Sequence, residues 1–407
     1  YTLELASSNI LVDHCTFAYN KGDDSYGVIE ARGAEAGTQI TSCVFYNNYM
    51  PLSIGGKIDI DDSNVFHNPD NPSETNTKNG IYFNGNWGEI HGSRKWQETE
   101  VPFVINVYNI DISSGNSLTI GKNVVLKFKD KGIDADEGLL IAQGTEAEPI
   151  VFTSLHDDTY GGDTEGDEEL TGPAPGDWEC VGISGTNNAS KLEYCEFYYG
   201  GGYNNYEFTV ELNSNNTLVK NCTFAYNKGT SRYGALNAED AESGTQIKSN
   251  IFYGNHIPLS IGGKVDIDDS NIFHNPDNPS ETNDMNGIFV TGTWGEISGN
   301  RSWQETEVPF VFPTNEYDLN IPAESSLTLA ENVILKFGSG KGVDHENNLF
   351  NYNANGVWYT SIKDDSKGGD TNGDGSATSP ADGDWDGVFN SVSYDYETWS
   401  NILYAEN

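Results

Sequence analysis

The residues best suited to chemistry are acidic and closely spaced. Asp370-Thr371-Asn372-Gly373-Asp374-Gly375 has the form D-x-N-x-D-G, in which alternate side-chain oxygens can converge on one hard cation and glycine supplies the sharp turn. Asp364 and Asp365 precede it, and Asp382 and Asp384 follow. No glutamate stands at the twelfth position, so the loop departs from an EF-hand frame. A poorer version, Asp163-Thr164-Glu165-Gly166-Asp167-Glu168, lies earlier, flanked by Asp157, Asp158 and Asp177. The expected ligand is Ca2+ in a structural role, stronger in the later loop. The competing reading is a solvated acidic loop that needs no ion.

Other candidates are less specific. Asp59, Asp61 and Asp62 return as Asp266, Asp268 and Asp269. They could form a glycosidase carboxylate pair, but they alternate with Ile58 and Ile60 and read more simply as the wet face of a strand. His67 and His274 precede Asn-Pro and suit turns. Arg94 and Arg301 each lie just before a tryptophan. Arg32 has no arginine counterpart later in the chain. Tyr198, Tyr199, Tyr203 and Tyr206 surround a Gly-Gly-Gly run and could stack on sugar rings, or simply cap an insertion.

These residues sit in a chain that repeats itself. Pro51–Asn76 returns as Pro258–Asn283 with two apolar exchanges, an offset of 207 residues (51 to 258). Within the long repeat is a short one: Cys15-Thr16-Phe17, Cys43-Val44-Phe45 and Asn64-Val65-Phe66, then Cys195-Glu196-Phe197, Cys222-Thr223-Phe224, Asn250-Ile251-Phe252 and Asn271-Ile272-Phe273. The spacings are 28 and 21, then 27, 28 and 21. Period-two alternation places Cys and Phe on one face of a short strand. Units of this length between Asn/Gly turns predict coils of a parallel β-helix, with ladders of stacked Phe, Asn and Cys. Stacked cysteines come within disulfide range, but core ladder cysteines are expected as thiols. Period-3.6 stretches are missing, so little helix is expected.

The Cys/Asn-x-Phe coils resemble those of right-handed parallel β-helix proteins, the pectate-lyase-like solenoids. A second resemblance spans Trp96–Ser154: Val101-Pro102-Phe103-Val104, Ser117-Leu118-Thr119-Ile120, Val125–Phe128 and Pro149–Ser154. It is similar to a module of large secreted or surface-anchored bacterial and archaeal β-helix proteins. There the Trp-to-VPF segment opens the solenoid. The second copy keeps Trp303, Val308-Pro309-Phe310 and Ser326–Phe337, but Leu349–Trp358 has no counterpart to Ile141–Phe152. The resemblance implies an all-β, right-handed parallel β-helix of two tandem copies, 1–206 and 207–407. An alternative module frame is 87–287, and a third possibility is an uninterrupted helix with loops at 69–100 and 276–307. Enzymes of this type carry GHG, NTD or RIK signatures, and none occurs here.

Composition narrows the function further. Among 407 residues, 62 are Asp or Glu and 21 Lys or Arg, a formal charge of −41. A phosphate backbone would be repelled, which excludes nucleic acid as a partner. Aromatic content (22 Tyr, 18 Phe, 8 Trp) excludes an acidic disordered chain. No apolar run is long enough to span a membrane. Both ends break off inside the repeat pattern, so a piece of a longer protein is expected. The expectation is an extracellular or cell-surface structural or adhesive solenoid, calcium-stabilised, self-associating into a fibre or array. The alternative is a polysaccharide lyase, glycoside hydrolase or carbohydrate-binding β-helix.

Overall fold

In the computed structural model the described residues are 1–407 except 168–169, 187, 203–206, 293–294 and 407. They are almost entirely short parallel strands stacked as a β-solenoid. The one helical element described is a 3-10 turn at Asn86–Gly88. No helix among the described residues is long and apolar enough to cross a membrane. The chain divides into two compact units, Tyr1–Tyr203 and Asn204–Asn407.

In the first unit one stack runs through Leu3–Glu4, Ile29–Ala31, Leu52–Ile54, Ile81–Phe83, Phe103–Ile105, Val125–Phe128, Ile150–Ser154 and Cys195–Tyr198. Its inward row is Ile29, Leu52, Ile81, Phe103, Leu126, Phe152 and Phe197, each in register with the next. All seven are fully buried. A second stack joins Ser93–Trp96, Ser117–Ile120, Leu139–Gln143 and Lys191–Glu193. Because 81–83 pairs directly with 103–105, stacking runs through the Trp96 segment without a break. Trp96 itself pairs in parallel with Ile60 of the preceding coil. Trp96 lies flat on Phe103 at 4.7 Å, inside the core. The stretch 69–100 holds paired strands as well as loop: His67–Asn68 and Asn71–Thr75 form an antiparallel hairpin.

The second unit repeats this with Leu236–Ala238, Leu259–Ile261, Ile288–Val290, Phe310–Phe312, Ile334–Phe337 and Trp358–Ser361. Leu349 pairs with Leu327 as Leu140 pairs with Leu118, so the divergent segment after Gly342 still supplies its strand, in shortened form.

The expected ladders are present. Phe17, Phe45 and Phe66 stack at 5.3 and 5.2 Å; Phe224, Phe252 and Phe273 stack at 5.0 and 5.3 Å. The Asn20 amide donates to Asn48 and the Asn48 amide to Asn76, both at 2.9 Å. Asn227, Asn255 and Asn283 do the same at 3.0 and 2.8 Å. Each amide thus satisfies the next inside a buried turn. Cys15 and Cys43, one coil apart, are thiols, with Cys43 buried.

Candidate functional site: the acidic loops

The outward row of the first stack is unusual. In a solvated sheet it would be polar and wet. Here Ser53, Tyr82, Val104, Lys127 and Thr153 follow one another in register and all are buried. The acidic loop after Ile150–Ser154 meets Tyr82, Val104, Lys127 and Thr153, while Ser53 takes the Gly27 N–H at 2.8 Å. Met50, Tyr82, Val104 and Leu155 form an apolar cluster beneath the loop, and the Tyr82 hydroxyl donates to the Thr164 carbonyl. Gly161, at φ 70°, crosses the ring of Pro102 so closely that a Cβ would lie 2.2 Å from its Cγ. In the second unit Gly368 crosses Pro309 in the same way, at 2.4 Å. There Ile257, Met285, Phe289 and Val311 form the apolar bed.

Lys127 is the polar centre of this arrangement. Its side chain is fully buried, donates to the Gly162 carbonyl at 2.5 Å and stands 3.9 Å from Asp158. Burial pulls its ammonium below the ordinary lysine range, against the pull of Asp158 and Asp157. Lys336 donates to the Gly369 carbonyl, and burial lowers it to about 8. A lysine in the VVLKF strand, matched by one in VILKF, was the sequence signal for this position. Nothing local to the strand told that a distant loop would bury it.

The acids divide by what they hold. Asp157 accepts the Thr153 hydroxyl at 2.6 Å, and Asp364 that of Thr360 at 2.7 Å. Asp177 accepts Ser154 Oγ at 2.7 Å and the Ala174 N–H at 2.8 Å. Asp384 does the same with Ser361 and Ala381, at 2.9 and 2.9 Å, and adds Lys363 Nζ at 2.7 Å. These four tie the loop ends to the sheet.

Asp158, Asp163 and Asp167 converge: one oxygen from each lies within 4.8 Å of the others. Oxygens bound to one calcium at roughly 2.3–2.6 Å can be no more than about 5 Å apart, so the trio fits such an ion. Oδ1 of Asp158 and Oδ1 of Asp167 are buried without a hydrogen-bond partner, which also fits. Burial pushes the Asp158 carboxyl up, opposed by Lys127 and reinforced by Asp163 and Asp167. Glu165 is turned aside: its Oε1 lies 2.6 Å from both His156 Nδ1 and the Thr171 hydroxyl.

The later loop, closer to the calcium pattern in sequence, makes the same internal bonds as the earlier one, in which Asp163 Oδ1 accepts the N–H groups of Glu165, Gly166 and Asp167 at 3.1, 2.6 and 3.4 Å and Asp167 accepts the Thr171 hydroxyl at 2.5 Å. Asp370 accepts the N–H groups of Asn372, Gly373 and Gly375 at 3.1, 2.8 and 2.7 Å. Asn372 donates to Asp374 at 3.0 Å, and Asp374 also takes the Thr378 hydroxyl. That hydroxyl is the chief reason the Asp374 carboxyl lies below its ordinary range. Asp365 keeps one buried oxygen without a partner. Among the described residues the convergent trio belongs to the earlier loop.

The remaining candidates are fasteners. Asp59 accepts the Lys95 N–H at 2.7 Å, and Asp266 that of Ser302 at 2.7 Å. Asp62 and Asp269 each accept the N–H of a threonine, Thr99 and Thr306, at 2.9 Å. His67 and His274 each stand 2.6 Å from a glutamate, Glu100 and Glu307. Tyr198 and Tyr199 are half-buried, and Tyr198 stacks on Tyr160 at 5.6 Å beside the acidic loop. Tyr203 and Tyr206 lie outside the described residues.

Comparison with protein-family models, curated proteins and solved structures finds no match to this chain.

Proposed function

We propose that the chain is a structural or adhesive solenoid of the cell surface or extracellular space, with calcium as a stabilising ion in the acidic loop of the first unit. One observation carries this reading. Several side-chain ion pairs recur in both copies with closely similar geometry and fasten one coil to another. His67–Glu100 and His274–Glu307 are both 2.6 Å pairs; Arg94–Asp59 and Arg301–Asp266 are 3.4 and 3.1 Å pairs. Lys57–Glu35 and Lys264–Glu242 repeat likewise. A catalytic centre has no need of two equal versions, whereas a scaffold built by duplication does. The acidity suits a soluble exterior and divalent cations.

Calcium binding is tested by thermal melting with and without EGTA. Chelation is expected to lower the melting temperature by several degrees, and added calcium to restore it; Asp158→Asn should abolish the response. An unchanged melt on chelation would overturn the calcium assignment. The enzymatic alternative is tested by incubating acidic and neutral polysaccharides with the protein. Release of reducing or unsaturated ends would replace the scaffold reading.

A further inference from the structure

One feature of the first unit differs from the second at several described matching positions. An open cleft of about 410 Å³ lies along the edge of the main stack, between the ends of the 29–31 and 81–83 strands and the 3-10 turn. Its size falls within the roughly 300–1,000 Å³ typical of small-molecule sites. Its floor is polar and unsatisfied. Glu30 is only 4 % exposed; one of its oxygens takes Arg32 Nε at 2.5 Å, and the other is buried without a partner. Asn84 is 7 % exposed, and its Oδ1 is likewise buried and unpaired, as is Nδ2 of Asn86. Orphaned buried polar atoms are costly, about 1–3 kcal/mol each, and call for a partner that arrives from outside.

The wall is aromatic. Trp87 is 78 % exposed and is held out by a left-handed backbone at φ 56°, next to Asn86 at φ 51°. The same left-handed turn conformation recurs at Tyr19, Tyr194 and Tyr226, so it sets the direction of the indole without marking it out. Tyr108 supports the indole from the side, 5.6 Å away at 60°.

At the described matching positions the second unit carries other polar residues; Trp294, the counterpart of Trp87, lies outside the described residues. Asn237 stands where Glu30 does, and its Oδ1 accepts the Ser260 hydroxyl at 2.7 Å. Glu239 replaces Arg32, and Arg232 forms ion pairs with both Glu239 and Glu316, at 3.3 and 3.0 Å. An arginine still covers the matching tyrosine, Arg232 over Tyr233 at 4.9 Å as Arg32 covers Tyr26 at 4.7 Å, but it comes from a different sequence position. An amide thus takes the position of the buried, half-paired acid in the second unit.

We propose that the cleft of the first unit binds a neutral oligosaccharide, one sugar ring lying on Trp87 and its hydroxyls bonding Glu30, Asn84 and Asn86. A pyranose combines an apolar C–H face with adjacent hydroxyls that each donate and accept, which answers both the exposed indole and the mixed set of unpaired acceptors and donor. An acidic sugar would meet Glu4 and Glu30 in a chain of net charge −41. A cationic ligand would find Glu30 already paired with Arg32. This inference goes beyond the scaffold reading and does not depend on calcium.

The test uses the whole chain. Soluble neutral oligosaccharides of glucose, mannose, xylose and galactose are titrated by tryptophan fluorescence and calorimetry, with oligogalacturonate as the acidic comparison. Saturable binding of at least one neutral glycan is expected, with Kd of about 1 mM or tighter. Trp87→Ala and Glu30→Gln should each weaken it about tenfold or more. Tyr394→Ala, at an 80 % exposed aromatic of the second unit, should leave it unchanged. Should Glu30→Gln unfold, the exposed position of Trp87 still permits a decisive variant. Failure of every neutral glycan to saturate, undiminished binding by Trp87→Ala, or preference for the oligogalacturonate overturns the proposal.

Discussion

Glu98 and Glu305 show how one side chain can set a property of the protein. Both are fully buried, and each uses one oxygen to accept two backbone N–H groups, from Thr99 and Glu100 or from Thr306 and Glu307. Burial is the main cause that pushes both carboxyls from 4.5 to about 8. The folded state therefore holds protons that the unfolded state has released. Their contribution is fully present below about pH 4.5 and is lost as the pH rises towards about 8. Denaturant midpoints should fall over that window. Glu98→Gln with Glu305→Gln should flatten the slope and raise the midpoint at pH 8, each unit of pKa shift being about 1.4 kcal/mol. A slope unaltered by the double substitution would show that these glutamates are ionised in the fold. The sequence places the two glutamates at matched positions 207 residues apart but carries no local sign of their burial. Only the tertiary structure takes them out of water.

At the scale of the element, the turn ladders and the docked loops are held by different forces. The Asn48 side chain accepts from Asn20 and donates to Asn76 and to the Phe17 carbonyl, the last at 2.8 Å. Asn48→Ala would strand these buried partners, and a loss of about 3 kcal/mol is expected in chemical denaturation. Asn255→Ala should cost a similar amount, since Asn255 makes the same bonds to Asn283 and Phe224. The loops depend instead on close approach. Gly161→Ala places a methyl on Pro102 and strains a residue at φ 70°. We expect limited proteolysis to cut within 155–177 in this variant while the melting temperature moves little. A loop as protected as in the parent would mean that the Gly161–Pro102 contact does not hold it. The ladders were legible because identical residues at spacings of 21 and 28 can only stack. The docking was not, because it joins Gly161 to Pro102 and Thr164 to Tyr82, residues far apart in sequence and unremarkable in type.

For the whole molecule, the comparison of copies is the informative observation. Core rows, amide ladders and surface ion pairs recur, while Glu30 and Arg32 of the cleft are replaced by Asn237 and Glu239 in the second unit. A duplicated body with one specialised surface fits a scaffold that also holds a glycan. Self-association is the prediction at this scale. Electron microscopy of native material is expected to show fibres or arrays. A population of single particles at high protein concentration, with and without calcium, would count against a filament role.

By itself the sequence determined the parallel β-solenoid, its coil lengths, its inward Phe rows and its Asn ladders. These follow from local alternation and from a repeat period, both of which act between a residue and its copy in the next coil. It also singled out Asp158, Asp163 and Asp167 as part of an acidic cation loop, because D-x-x-x-D spacing is a local property. Tertiary structure alone decided which loop gathers its carboxylates. Asp158, Asp163 and Asp167 bring an oxygen each within 4.8 Å of one another in the earlier one, although Asp163 and Asp370 alike accept N–H groups of their own loops. It alone buried Lys127 beneath the loop and left Glu30 half-paired at the foot of an exposed Trp87. Those outcomes depend on what lies across the space between coils, where desolvation and the supply of hydrogen-bond partners are settled by residues that no spacing rule connects.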